Sequence, residues 1–474
     1  MATKNSNKTI EFIRIGNPWL VGKNVNRVVP VYALHNILAP DFDRDDALQA
    51  IKDSAFDAHK GMAGGLRDRV VLHEQEYGEF EQTVFGLLAP ERRIFRDKVG
   101  GGASRLGSVF PLVAGLVAPA GSDDGLGRRM RELLERHQGN WQERLVELMA
   151  PANAKDPATG FAMRLLGGVS GQQNPSTIVP PERPLSGLDK ACVEFVDRLI
   201  VNTQDAKRIA TIRNLAFGAY AVAVIRMVSG PVVENTKKLP LVFVYGGMPP
   251  GRQGDPLVRA ACKSFQNWIG GSWAATAELL TVAINRATNL PRATGADKIR
   301  QKINGILRDR LGSRDKDIES VLTSLKRRID SHDFSANWCR ETMESKAVGF
   351  KKAELARRVR SLGGNIGFTG PDRGTGSPRL VLDTPLLGVL VRGVVGVGTM
   401  EFEKFVSELA IRFGLVVGLG GEDSIADQMD AIGSDGYDAY EILKRNQDLL
   451  RERLLRAGMA RAYSDSHTEV YNDA

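Results

Sequence analysis

The feature that most constrains the fold is the punctuation of residues 239–256. Leu239–Tyr245 (LPLVFVY) is a short apolar run of the β-branched and aromatic kind that suits a buried strand. The next residues, GGMPPGRQGDP, break regular structure through Gly and Pro. Asp255-Pro256 then opens a helix. The Asp carboxylate can accept orphan N–H groups of the first turn, and the fixed φ of proline suits the first helical position. Trp268, Trp273, Leu279 and Leu280 carry that helix to about Arg286. A strand, a loop and a long helix of this kind predict helices packed around a small sheet element.

The flanking sequence is mostly helical in period. Leu188–Ser229 predicts two helices broken near Asn202–Asp205, with Phe195, Leu199, Ile200, Ile209, Ile212, Leu215, Ala216 and Tyr220 as core candidates. Asp124–Met149 predicts an amphipathic helix. Phe350–Leu362 predicts another, with Leu355, Val359 and Leu362 on one face. Two extended pieces follow, Asn365–Phe368 and Arg379–Asp383, joined by TGPDRGTGSP. Leu386–Val395 and Glu401–Phe413 predict helices, Leu415–Val417 a strand, and Tyr437–Ala457 a terminal helix. Thr9–Ile15 and Ala462–Val470 read as short strands.

With 474 residues, of which 42% are apolar and 25% charged, the chain has the composition of a globular protein of two to four domains. The expected fold class is mainly α (α+β), with small sheet elements. A mixed region at 1–150 would precede a Pro/Gly-rich linker at 151–184. A helical domain with one central strand would occupy 185–290, and a basic helical segment 291–345. Helix, strand, glycine-rich tip and strand, then more helices, is the order of a winged-helix-like module, placed at 346–420. Residues 421–474 would add the last helix and strand. The three cysteines, Cys192, Cys262 and Cys339, are too few and too widely spaced for a disulfide framework or a metal site. No stretch approaches about 20 uninterrupted apolar residues. A cytoplasmic protein without a membrane anchor is therefore expected.

The charge is unevenly placed. The chain carries a net +8, and residues 292–360 hold eighteen Lys or Arg against ten Asp or Glu, so that window contains the whole excess. A localised excess points to an anionic partner, most often nucleic acid, although a solvated helical face needs no partner at all. Phe334, Trp338 and Phe350 are the only aromatics there, so contact with a duplex backbone is favoured over base stacking. The candidate contact residues are Lys351, Lys352, Arg357, Arg358 and Arg360 on the helix and Arg373 and Arg379 at the wing. Protein docking by the same module is the competing reading.

Catalytic patterns fail on their spacing. Asp41, Asp43, Asp45 and Asp46 begin like a calcium loop, but Asp46 stands where Gly is needed and Lys52 where Glu is needed. The loop bearing Gly246, Gly247, Gly251, Arg252 and Gly254 precedes a helix N-terminus, where phosphate sites form. It lacks the Gly-Lys-Ser/Thr ending, and Pro249 and Pro250 remove donors, so it reads as a structural turn. Gly393, Gly396 and Gly398 do not complete a dinucleotide loop. Gln172 breaks a nucleophile elbow after Ser170, and the six histidines are scattered. Asp383, Glu403 and Lys404 lack nuclease spacing. The motifs imply no metal, no cofactor and no catalytic set, although an enzyme whose site is assembled only by folding stays open.

Two segments, Leu239–Trp268 (with Arg259, Ser264 and Phe265) and Leu380–Gly418 (with MEFEKFVSELAIRFGLVVG), resemble pieces of accessory proteins from bacterial phage-defence operons, including those with a DNA methyltransferase. The resemblance implies a non-enzymatic partner of DNA-modifying or ATP-driven components. Together with the charge, it leads to the expectation of a DNA-associated adaptor that binds duplex DNA and proteins of the same complex. A pure protein scaffold is the alternative, suggested by Leu443, Leu449, Leu450, Leu454 and Leu455 on the last helix.

Overall fold

The computed structural model describes residues 13–14, 16–21, 126–137, 141, 185–201, 208–247, 254–288, 297–298, 301, 304–305, 336–344, 352–371, 377–419, 425–432, 437–463 and 467–472. Most of them are helical, and the strands are short. The expected linker at 151–184, the acidic cluster at 41–46 and most of the basic segment lie outside the described residues. The chain forms two compact units, Asn26–Ala219 and Met1–Val25 with Tyr220–Asp473. The first is therefore inserted, in sequence, into the second.

The inserted unit contains α1 (Leu126–Glu135), α2 (Gly187–Val201) and the first part of α3 (Arg208–Thr236). α1 and α2 pack together, burying Leu126, Met130 and Leu134 on one and Cys192, Phe195 and Leu199 on the other. α2 starts where a reciprocal cap stands. The Ser186 hydroxyl accepts from the Asp189 N–H at 3.1 Å and donates to the Asp189 carboxylate at 2.8 Å.

The larger unit is organised by α4 (Pro256–Thr288), which follows β1 (Val242–Phe243). Asp255 caps it as its residue type requires, accepting from the Leu257 N–H at 2.9 Å. α5 (Ala336–Glu344) and α6 (Lys352–Gly364) pack on α4. β2 (Thr369–Gly370) and β3 (Arg379–Leu380) then pair antiparallel. α7 (Thr384–Val395), β4 (Thr399–Glu401) and α8 (Phe402–Phe413) lead into β5 (Leu415–Val416). α9 (Ile425–Ile432), α10 (Tyr437–Arg456), β6 (Ala460–Ala462) and β7 (Thr468–Tyr471) complete it. The tail expected as one strand is a hairpin, and β7 also pairs with β4.

β1 pairs parallel with β5, through Val242 N–H to Gly414 O and Val244 N–H to Val416 O, both 2.8 Å. On its other side Tyr245 bridges Val381, with Tyr245 N–H to Leu380 O at 3.1 Å. This isolated bridge links the β1–β5 pair to the β2–β3 pair. Phe243 N–H falls where no strand reaches it, and the Ser264 hydroxyl of α4 accepts it at 2.8 Å. Gly414, at φ 68°, lets the chain leave α8 directly into β5. A Cβ there would strike the Pro240 carbonyl. Phe243, Leu257, Ala261, Val416, Ile432 and Leu443 form one apolar cluster around this sheet.

Asn446 of α10 closes the carboxyl ends of β1 and β5. Its fully buried amide donates to Val244 O and Val417 O, both at 2.7 Å, and accepts from the Gly246 N–H at 2.9 Å. Next to it, the Gln447 carbonyl accepts from the Leu419 N–H at 2.7 Å.

At the N-terminus, Ile13 and Arg14 are helical instead of extended. The apolar residues there meet the core through a close backbone approach. A Cβ on Gly16 would collide with the Thr276 carbonyl, and Asn17 Nδ2 donates to Met227 O at 2.8 Å. The segment is thus stapled into the larger unit. Within α3, Phe217–Thr236 is long and apolar enough to cross a membrane by composition, which exceeds the sequence expectation. Of its apolar window, 89% is buried within the protein.

Replacing Asn446 with Ala strands three buried backbone groups. At about 1–3 kcal/mol for each unsatisfied group, the loss should exceed about 3 kcal/mol, lowering Tm by roughly 5–10 °C. Calorimetry of the variant checks this, and a Tm within a degree of the parent would show that the clip is dispensable.

Candidate functional site

Of the seven residues expected to touch nucleic acid, the five that are described fall in different surroundings. On α6, Leu355, Val359 and Leu362 face the core. Arg358 stands three residues after Leu355, on the same stripe, and is 4% exposed. Its guanidinium donates to the Val21 carbonyl and, at 3.0 Å, to Glu354. Arg357 points outward, with a side chain 60% exposed, and its Nε lies 2.9 Å from Glu354. Lys352 is exposed. Arg360 is half-buried and reaches the Pro371 carbonyl at 3.4 Å, which ties α6 to the exit of β2. Arg379 is 3% exposed. Lys351 and Arg373 lie outside the described residues. The surface cations of α6 are therefore Lys352 and Arg357.

The Glu354 carboxyl is held below its ordinary value of 4.5, first by its hydrogen bond from Arg357 and also by the charge of Arg358, against a desolvation that raises it. A carboxyl lowered on folding adds stability above its ordinary value and loses it as pH falls through the folded one.

A second convergence lies at the carboxyl end of β1. Tyr245 ends the strand with its ring against Gly247, where a Cβ would not fit. The Arg379 guanidinium sits 5.7 Å from the centre of that ring. Arg453 of α10, 6% exposed, donates to Gly246 O and Gly247 O at 3.4 and 3.3 Å and to Asp383 and Thr384 at 3.4 and 3.3 Å. Arg445 meets Asp255 at 3.4 Å. Cys262, on the second turn of α4, donates to Ser377 O at 3.4 Å and lies beside Arg379.

The charges of the cluster act on one another. Burial is the main cause raising the Tyr245 phenol, and Asp255 adds to it; Arg379, Arg445 and Arg453 oppose it. Burial depresses Arg453, against the pull of Asp383 and Tyr245. Burial pushes the Cys262 thiol up, and Arg379 opposes the shift. Three guanidiniums thus face two carboxylates, Asp255 and Asp383. Among the described residues Arg379 has no ion pair and its buried Nε no acceptor, but its guanidinium has the Cys262 thiol and the Tyr245 ring as partners.

Sequence reasoning placed Arg379 on an exposed wing. The contrary signal was the alternation of β3: Arg379 shares a strand face with Val381, which is 2% exposed. Arg445 and Arg453 come from a helix some 200 residues after β1, and no local pattern links them to it. Among the described residues, no group of three His, Cys, Asp or Glu could hold a metal ion. The leucines read as a docking stripe are mostly core: Leu443, Leu450 and Leu454 are fully buried and Leu449 partly so.

Comparison with known proteins returned no matching family model, no matching curated protein and no matching solved structure.

Two outcomes follow. Glu354→Gln should flatten the acid limb of the stability curve below pH 4.5, read by denaturant unfolding across pH. An unchanged limb would mean that Arg357 and Arg358 hold no more than a solvent-screened pair. With a neutral maleimide, Cys262 should react first and faster as pH rises. Cys192 and Cys339 are buried, and burial pushes the Cys339 thiol up to about 11, so both should wait for unfolding. Rapid labelling of Cys339 in the folded chain would contradict its burial.

Proposed function

We propose that the protein is a non-enzymatic, DNA-associated adaptor whose α6 and β2–β3 hairpin act as a winged-helix-like surface on duplex DNA. The observation that carries this reading is the confinement of the whole net charge of +8 to residues 292–360, the segment that leads into and includes most of α6. The order helix, hairpin, helix supports it, as does the tie from Arg360 to Pro371 that fixes the hairpin against α6. Lys352 and Arg357 supply the outward cations, and Lys351 and Arg373 extend the same sequence. Contact is with phosphates, so binding is independent of sequence and falls steeply with salt.

The reading extends to a bacterial cytoplasmic adaptor beside DNA-modifying or ATP-driven components, and what supports that extension is the sequence resemblance of Leu239–Trp268 and Leu380–Gly418 to accessory proteins of phage-defence operons. A pure protein scaffold draws less support, because the leucine stripe of α10 that suggested it is buried in its own unit.

The test uses the full chain, since β1 pairs with β5 and a fragment that begins after β1 would lose that pairing. Fluorescence anisotropy of labelled duplex DNA across a salt series should show log K falling linearly with log salt. K352E/R357E should weaken binding uniformly and reduce the slope by about 2, the two phosphate contacts removed. Absence of binding at low salt would sink the reading, and so would a slope unchanged by the charge reversal.

A further inference from the structure

We infer that the outward edge of α4 belongs to the duplex-DNA surface and sets Arg259 and Lys263 against the phosphate backbone. This rests on the adaptor reading and extends its contact from α6 and the hairpin to the helix on which both are seated. The edge is defined by spacing. Arg259, Lys263, Gln266 and Gly270 recur at i, i+4, i+7 and i+11, which at 3.6 residues per turn confines them to about 60° of arc. Arg259, Lys263 and Gln266 are exposed, and so is Asn267 beside them. From Pro256 to Ala277 the helix has no Asp or Glu, and Asp255 just before it meets Arg445 at 3.4 Å. The edge is a row of cations and amides without a carboxylate of its own.

Two contacts join this edge to the elements proposed to meet DNA. At one end the Lys352 amino group lies over Gly270, where a Cβ would meet it at 2.8 Å. At the other, Cys262 Sγ donates to the Ser377 carbonyl at 3.4 Å, and β3 packs on α4, so the return strand of the hairpin rises from the α4 surface. Cys262 and Gly270 are about 12 Å apart along the helix axis. Lys263, Gln266 and Asn267 fill the exposed interval between them. A duplex backbone that meets both Lys352 and the base of the hairpin passes over that interval.

The residue types suit this occupant. Lys and Arg neutralise phosphates, and side-chain amides donate to phosphate oxygens. A Cβ on Gly271 would meet nothing within 4 Å, so the bare turn at Gly270 and Gly271 admits a backbone close to the helix. Arg259 also acquires a role. Ser264 serves β1 and Phe265 the core, whereas Arg259 is exposed and serves neither.

The test compares charge reversals of equal size in the full chain, by anisotropy of labelled duplex DNA across a salt series. R259E and K263E should each weaken binding and reduce the slope of log K against log salt by about 1. Arg259→Gln and Lys263→Gln, which serve if a reversal fails to fold, should change the slope equally, since the lost phosphate contact sets it. R286E is the control. Arg286 is exposed in the last turn of α4, on the opposite side of the helix from Arg259, and its reversal should leave the slope unchanged.

A slope unaltered at Arg259 and Lys263, while K352E/R357E still reduces it, overturns the α4 contact and leaves the adaptor reading standing. An equal loss in R286E is the effect of net charge alone and also overturns the contact. Absence of binding at low salt overturns both.

Discussion

The larger unit depends on how two parallel strands end. β1 and β5 are two residues each, and their last carbonyls would open onto the α10 side without partners. A buried backbone oxygen without a donor costs about as much as several apolar contacts contribute. Asn446 solves this for both strands with one side chain, since an amide carries two donors and an acceptor in a single plane. A leucine of similar volume would fill the space and satisfy nothing. The same residue fixes the position of α10, so Arg445 and Arg453, one residue before and two turns after it, reach Asp255 and the Gly246 and Gly247 carbonyls beyond the strand ends.

Buried arginines extend this logic to the rest of the unit. Arg14 Nε donates to Leu20 O at 2.8 Å, Arg358 to Val21 O, and Arg453 to Gly246 O and Gly247 O. Each takes main-chain carbonyls where the backbone turns and no strand partner is available. A guanidinium does this well because it keeps its charge and offers five donors. The described N-terminal residues, 13–14 and 16–21, belong to a unit whose other part begins at Tyr220 and are held in this way, none of them in a strand.

Local grammar was legible in the sequence, and pairing across long separations was not. Asp255-Pro256 marked the start of α4 because cap and first-turn chemistry involve neighbours only. The terminal helix, expected at Tyr437–Ala457, ends at Arg456 for the same reason, since its leucines repeat at helical spacing. The partner of β1 could not be read, because Leu415 and Val416 lie more than 170 residues away and carry only a generic apolar signal. Ile13 and Arg14 were misread because two turns of apolar alternation suit a strand as well as a short helix docked by Gly16. The arginines were misread for a different reason. Lys351, Lys352, Arg357, Arg358 and Arg360 look alike as a basic run, yet the helical stripe through Leu355 and Val359 takes Arg358 inward and leaves Arg357 outside.

That division has a consequence for how charge and function relate in this chain. Cation counting locates where a long-range field attracts anions, and such a field needs exposed heads such as Lys352 and Arg357. A binding crevice instead needs few charges, desolvated and aimed, because the interaction strengthens as water leaves. Arg379 contributes the same +1 to the count as Arg357, but its environment differs entirely. Arg357 is 60% exposed and pairs with Glu354 at the surface, where solvent screens that pair. Arg379 lies under Tyr245 with Asp255 and Asp383 already engaged by Arg445 and Arg453.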